Sequence, residues 1–112
     1  MMNPEIKAEW LTALRSGAYK QCKGALNRND GYCCLGVLAD VIDKKDIRPI
    51  WHWGRTRDHD GDRSFGSSVT NLPDNLAEYL GMTIMERSTL VDLNDKYEQT
   101  FDEIAKYIET RL

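Results

Sequence analysis

Aromatic and basic residues alternate along the first half of the chain, and together they could bind a nucleotide. Aromatic rings stack on nucleobases, whereas Lys, Arg and Gln side chains and backbone N–H groups hold phosphates. The pattern therefore predicts a binding site for a phosphate-bearing, nucleotide-type small molecule. The candidate ligand-binding residues are Tyr19, Lys20, Gln21, Lys23, Tyr32, Trp51, Trp53, Arg55 and Arg57.

The two tryptophans of this set, Trp51 and Trp53, lie two residues apart. A strand would therefore place both on one face and His52 on the other. A second interpretation stays open, in which one tryptophan is core, the other packs on a neighbour and the arginines are solvated. Exposed aromatic and cationic residues also serve protein interfaces equally well, so a protein partner fits the same pattern.

The formal charge is unevenly distributed along the 112 residues, which carry −3 in total. Residues 15–57 hold nine basic and four acidic side chains, whereas residues 64–112 hold four basic and nine acidic ones. An acidic protein with one basic section indicates a local anion site rather than a coat on nucleic acid. DNA binding is not expected, since the sequence lacks helix-turn-helix and finger signatures and its pI is about 5.3.

The cysteines and the carboxylates do not match a metal site. The cysteines are Cys22, Cys33 and Cys34. They lack the C-x₂-C pairs of structural zinc sites, and buried free thiols are the preferred interpretation. The segment Asp58–Asp62 begins like a calcium loop, but Arg63 and Val69 stand where that loop needs Gly and Glu. A flexible loop of mixed charge is therefore favoured, and no metal or cofactor is predicted.

Catalysis is not predicted either. The sequence has no G-x-S-x-G elbow, and it supplies no reason for a thiol to have a lowered pKa. Gly24, Gly31 and Gly36 match neither the Walker nor the dinucleotide-binding pattern. The protein is expected to bind a ligand without turning it over, and a small nucleotide hydrolase is the less favoured alternative.

Length and composition predict that residues 1–112 form a single globular domain. The apolar fraction of 41% and the charged fraction of 29% are typical of soluble proteins. No apolar run reaches the ~18 residues of a membrane span, and the N-terminus does not resemble a secretory signal. We therefore expect a cytoplasmic protein with no membrane partner.

Several short helices and strands are expected to position the candidate residues. Helices are predicted from Asn3-Pro4 to Ser16-Gly17, over Cys34–Ile42, from Pro73 to Gly81, as a short turn over Ser88–Leu93, and after the capping box Thr100–Glu103. Two extended pieces flank the turn Asn27–Gly31, and a strand Ile47–Trp53 is partnered by Ser67–Thr70, with a link at Asp43–Asp46 and a long loop at Gly54–Gly66. For Cys34–Ile42, a short apolar run does not exclude a strand. The fold class is α+β, with several short helices packed on a small antiparallel sheet or hairpin.

Five segments resemble a widespread family of small bacteriophage and prophage accessory proteins. They are Trp10–Gln21, Lys23–Leu26, Tyr32–Asp40, which carries the Tyr-Cys-Cys-Leu-Gly-Val-Leu motif, Ser88–Asp95 and Phe101–Glu109. The resemblance implies a protein that acts in the cytoplasm of an infected bacterium. It also implies a role against host defence, in which the protein sequesters a nucleotide-derived immune signal.

Two further expectations accompany this hypothesis. A protein of this size that sequesters a nucleotide, here called a sponge, is expected to be a homo-oligomer. One small domain can hardly enclose a nucleotide alone. The alternative is a protein that inhibits a host defence or metabolic factor, through its acidic C-terminal half or through the loop Gly54–Gly66.

Overall fold

The computed structural model describes residues 2–112, and within them it contains five helices and three two-residue strands. In chain order these are α1 (Pro4–Arg15), β1 (Lys20–Gln21), β2 (Asn27–Arg28), β3 (Gly31–Tyr32), α2 (Cys34–Lys45), α3 (Asp74–Leu80), α4 (Ile84–Asp95) and α5 (Phe101–Arg111). The α+β prediction is confirmed. None of the described helices is long and apolar enough to cross a membrane.

Helix α1 begins and ends where the sequence predicts. The Asn3 side chain accepts a hydrogen bond from the backbone N–H of Ile6 at 3.1 Å, which satisfies a helix donor that has no partner within the helix. Gly17 follows the helix with a φ of +76°, a conformation that glycine adopts without steric cost. The buried Trp10 donates its indole N–H to the Cys34 carbonyl at 2.9 Å and so fixes α1 against α2.

The three strands form a small mixed sheet in the order β1-β3-β2. Strands β2 and β3 are antiparallel and form a hairpin, whose turn is shorter than the predicted Asn27–Gly31 and holds Asn29 at a φ of +54°. Strand β1 pairs with β3 in parallel, so the sheet is mixed rather than wholly antiparallel. The buried Asn27 closes the hairpin by donating its amide to the Gly31 carbonyl at 2.9 Å.

Helix α2 is the centre of the core and is longer than the sequence predicts. The helix predicted over Cys34–Ile42 is confirmed, and all of these residues are buried. The predicted link Asp43–Asp46 is wrong, because the helix continues through Lys45 and ends at Asp46 in the left-handed conformation. Lys45 supports this last turn by pairing with Glu9 of α1 at 2.7 Å.

The predicted strand pair in the middle of the chain is wrong. Neither Ile47–Trp53 nor Ser67–Thr70 forms a strand, and only isolated bridges join Trp53 to Phe65 and Phe65 to Ser68. Pro49 lacks an N–H for a sheet ladder, and a turn between Arg48 and Trp51 bends the segment instead. The long loop Gly54–Gly66 is confirmed as irregular structure.

The C-terminal half contains three helices, two of which begin at a capping box. The predicted helix after Pro73 and its stop at Gly81 are confirmed by α3. Helix α4 begins well before the predicted turn, at a capping box between Thr83 and Glu86 that the sequence interpretation missed. The predicted capping box of Thr100 and Glu103 is confirmed and starts α5.

Candidate functional site

Four aromatic rings form a row beside α2. The ring centroids of Tyr19 and Tyr32 are 5.1 Å apart, those of Tyr32 and Trp53 are 5.9 Å apart, and those of Trp53 and Phe65 are 5.1 Å apart. All three pairs meet edge to face, an arrangement that adds to the stabilisation from burial. Phe65 is fully buried, whereas the other three rings are partly exposed. The row therefore presents aromatic surface to solvent on a buried support.

One buried carboxylate, that of Asp40 on α2, holds the row in place. It accepts a hydrogen bond from the Tyr19 hydroxyl at 2.5 Å and another from the indole N–H of Trp53 at 3.1 Å. Lys44, one helical turn later, lies 3.0 Å from the same carboxylate. Because Asp40 is only 8% exposed, these contacts compensate the cost of burying its charge. Burial, followed by the hydrogen bond to Asp40, raises the pKa of Tyr19.

Two cations lie over rings of this row. The Lys44 ammonium lies 5.7 Å from the centre of the Tyr19 ring, and the Arg63 guanidinium lies 5.6 Å from that of Trp53. Both distances are within the range of cation–π attraction. Burial and Asp40 raise the pKa of Tyr32, whereas the positive charges of Arg63, Lys44 and Arg57 oppose that rise. The two cation–π contacts therefore place positive charge beside the partly exposed rings of the row.

Arg63 is incompletely paired in this arrangement. Its Nε atom is buried and has no hydrogen-bond partner among residues 2–112. Buried polar atoms in proteins are nearly always paired, so an exception calls for a physical explanation. An anion bound beside Arg63 would compensate its positive charge.

The loop that carries Arg63 is held by polar contacts to the hairpin. Arg57 donates from one terminal nitrogen to the Asn27 side chain at 2.7 Å and to the Gly61 carbonyl at 2.9 Å. Arg28 forms a two-pronged ion pair with Asp62, at 2.6 and 2.9 Å, which lowers the pKa of Asp62. The loop is thereby fixed over β2 beside the aromatic row.

We call this surface the aromatic face and define it by seven residues. They are Tyr19, Tyr32, Asp40, Lys44, Trp53, Arg57 and Arg63. Four of them, Tyr19, Tyr32, Trp53 and Arg57, were predicted from the sequence. Asp40, Lys44 and Arg63 were missed; only the spacing of Asp40 and Lys44 on a predicted buried helix could have indicated that they act together.

Arg55, also predicted, is exposed on the same loop and makes no hydrogen bond or ion pair with residues 2–112. Arg55 lies between Trp53 and Arg57 along the chain, and among residues 2–112 it makes no cation–π contact with the rings of the aromatic row.

Trp51 does not belong to the aromatic face. It is 1% exposed and packs on Tyr79 of α3, with ring centroids 5.0 Å apart, while Arg48 covers both rings. The prediction that Trp51 and Trp53 share a strand face is wrong, because the bend at residues 48–51 directs one ring into the core. His52 lies instead between Asp43 and Asp46, with each ring nitrogen 2.8 Å from a carboxylate.

Three predicted polar residues are engaged elsewhere. Gln21 donates its side-chain amide to Asn94 of α4 and to the Gln99 carbonyl, both at 2.8 Å. Lys20 lies 3.5 Å from Asp30, and Lys23 forms an ion pair with Glu98. The amide of Gln21 therefore holds the fold together, and the two lysines are paired at the surface.

The arrangement of Cys33 and Cys34 does not suit nucleophilic catalysis, and the aspartate cluster has one carboxylate that is already paired. Burial raises the pKa of Cys33 to about 12 and also raises that of Cys34. The Cys33 sulfur accepts a hydrogen bond from the Gly36 N–H and caps α2. Carboxylate oxygens of Asp58, Asp60 and Asp62 lie within 4.8 Å of one another, but Asp62 is already paired with Arg28.

Comparison with known proteins identifies a family of undescribed activity. A family model described as a domain of unknown function, DUF8296, matches residues 2–84, and the chain therefore belongs to this family. The match includes every residue of the aromatic face. Neither a curated protein nor a solved structure matches the chain.

Proposed function

We propose that this member of the DUF8296 family binds a phosphate-bearing, nucleotide-type small molecule on its aromatic face and does not turn it over. The observation that carries the proposal is the position of the Lys44 and Arg63 cations over the partly exposed rings of Tyr19 and Trp53. A nucleobase would stack on an aromatic ring, and its phosphates would lie against the cations.

Binding without turnover agrees with the surroundings of the reactive side chains. Cys33 and Cys34 are buried, and their raised pKa keeps them as neutral thiols near neutral pH. Both ring nitrogens of His52 face carboxylates, so this histidine is not offered to a ligand on the aromatic face. These contacts support a binder rather than a hydrolase.

The resemblance to phage accessory proteins supplies a biological setting for the proposal. In that setting the protein acts in the cytoplasm of an infected bacterium and sequesters a nucleotide signal of host defence. One domain of 112 residues encloses little of such a ligand. We therefore propose that two or more copies cover it between them.

Thermal unfolding in the presence of cyclic dinucleotides, ADP-ribose and cyclic ADP-ribose tests the binding directly. A ligand that binds only the folded state raises the unfolding temperature, by an amount that grows with its concentration. We expect at least one of these phosphate-bearing compounds to do so, and the corresponding nucleosides not to. The absence of any shift across the set, with one host protein captured from lysate instead, would favour the inhibitor alternative.

A matched pair of arginine variants locates the site. Arg63 and Arg48 each cover a tryptophan ring, but only Arg63 belongs to the aromatic face. We expect Arg63→Gln to weaken binding by about tenfold, the loss of one charge-assisted contact, and Arg48→Gln to leave binding unchanged. Equal losses in the two variants would contradict the assignment.

Native mass spectrometry of the protein purified from infected cells tests the setting and the assembly together. We expect an oligomer that retains a small phosphate-bearing molecule. A monomer that retains nothing would contradict the sponge hypothesis.

A further inference from the structure

A second arginine, far along the chain from the aromatic face, is also incompletely paired. Arg87 on α4 is only 6% exposed. One terminal nitrogen donates to the Leu72 carbonyl at 2.9 Å and lies 3.1 Å from a carboxylate oxygen of Asp74. Its Nε atom is buried and has no hydrogen-bond partner within the described chain.

The partner that Arg87 does have compensates its charge poorly. The Asp74 side chain is 93% exposed, and ion pairs with so much solvent contact contribute little because water and salt screen them. A buried guanidinium normally has both its charge and its donors satisfied. The surroundings of Arg87 therefore favour an anionic partner that is less exposed to solvent than Asp74.

Space for such an acceptor exists between α3 and α4. Two adjoining cavities of about 440 and 390 Å³ are both bordered by Asp74, Ile84 and Arg87. Ser68 and Ser88 add hydroxyl groups to the first cavity, and Ala77 and Met82 add apolar surface to the second. Arg87 thus borders both cavities, of which the second has the more apolar wall, and no residue of the aromatic face borders either one.

We propose that this α3–α4 groove binds a small aliphatic carboxylic acid in its ionised form. The ligand carboxylate replaces Asp74 beside the Arg87 guanidinium, whose planar donors match a carboxylate. The aliphatic chain lies against Ile84 and the apolar wall. A carboxylate suits the groove better than a doubly charged phosphate, because Asp74 borders both cavities and Glu78 borders the second.

Titration of the isotope-labelled full chain with hexanoate tests the proposal. The Nε–H resonance of Arg87 reports directly on its guanidinium. We expect a saturable shift of this resonance with hexanoate, a weaker response with acetate, which lacks the chain, and none with the neutral hexanamide. No saturable shift with hexanoate, or an equal one with hexanamide, would overturn the proposal.

Adjacent surface residues provide a matched control. Ile84 and Met85 are both 74% exposed at the start of α4, but only Ile84 borders the cavities. Ile84→Glu should weaken hexanoate binding severalfold by like-charge repulsion, whereas Met85→Glu should not change it. Asp74→Asn removes the competing carboxylate and should tighten binding severalfold. Equal effects of Ile84→Glu and Met85→Glu, or weaker binding by Asp74→Asn, would contradict the site. All three changes are at exposed side chains.

Discussion

The aromatic face contrasts with a second region, where the start of α2 meets α4 and the hairpin. Both contain similar polar side chains, but those of the second region make structural contacts within the fold. We call the second region the α2 junction and define it by Gln21, Leu26, Cys34, Gly36 and Asn94. The buried Asn94 side chain accepts from Gln21 and from the Cys34 N–H, and it donates to the Cys22 carbonyl and to Asp95.

The two regions differ in how completely their polar atoms are paired. Every donor and acceptor of the Asn94 amide is used inside the fold, so nothing remains for a ligand. On the aromatic face, the Arg63 Nε has no partner among the described residues, and the three cations of the face outnumber its single carboxylate, that of Asp40. Residue type alone therefore does not distinguish a structural contact from a binding surface, whereas unused hydrogen-bonding capacity does.

The largest effect is expected from Gly36→Ala in the α2 junction. A Cβ atom added at Gly36 would lie 1.8 Å from the Leu26 carbonyl oxygen, and both groups are fixed by backbone structure. We expect a loss of roughly 4 kcal/mol in the free energy of unfolding, or failure to fold, because the close approach requires glycine. Denaturant unfolding measures the loss, and near-normal stability would show that the junction is looser than described.

Asn94→Ala should have the next largest effect. It removes the acceptor of the buried Cys34 N–H and of the Gln21 amide, which leaves buried donors unpaired. We expect a loss of about 3 kcal/mol in the free energy of unfolding and no change in ligand affinity at a temperature where the variant is folded. Asn75→Ala is the control, because Asn75 is exposed and accepts only a 3.4 Å contact from Trp51.

Trp53→Phe should have the opposite pattern to Asn94→Ala, with a small loss of stability and a larger loss of ligand affinity. It deletes the indole donor to Asp40 but keeps an aromatic ring, so we expect a loss of only about 1 kcal/mol in the free energy of unfolding. Nucleotide binding should fall more than stability does, because the larger stacking surface is lost. Titration calorimetry measures the affinity and denaturant unfolding measures the stability, and unchanged affinity would remove Trp53 from the site.

The smallest effect is the pH dependence of stability that arises from His52, whose partner Asp43 also contacts Trp53 of the aromatic face. Asp43 accepts from His52 and from the Trp53 backbone N–H, and Asp43 followed by Asp46 raises the pKa of His52. A raised folded-state pKa adds stability below the unfolded value of about 6.5 and loses it as the pH rises through the folded value. We expect the unfolding temperature to decline slightly over that interval, and His52→Gln to remove the decline. An unchanged pH profile in the variant would contradict this role.

Local signals in the sequence were enough for much of the helical structure. Asn3 and Gly17 mark the ends of α1, and the Thr100 capping box marks the start of α5, because caps depend on neighbouring residues only. The equivalent box at Thr83 and Glu86 was present in the sequence and was missed. The mixed pairing of β1 depends on distant contacts, which periodicity does not report.

The candidate site was only partly predictable for the same reason. Tyr19, Tyr32 and Trp53 were recognised by type, but Asp40 lies within an apolar run and its contacts come from distant segments. Trp51 and Gln21 have the residue types of a binding site, yet packing and hydrogen bonding use them inside the fold. Sequence pattern gives the residue types of a site, whereas tertiary contacts decide which of them stay available.

The most direct test of the binding claim follows the three indole N–H resonances of Trp10, Trp51 and Trp53 during titration with ADP-ribose and cyclic dinucleotides. Trp10 and Trp51 are buried in the core, whereas Trp53 is partly exposed on the aromatic face. We predict a saturable shift of the Trp53 resonance with at least one of these compounds, and little change in the other two. A titration that leaves Trp53 unmoved, or that moves Trp51 instead, would contradict the assignment of the aromatic face as the binding surface.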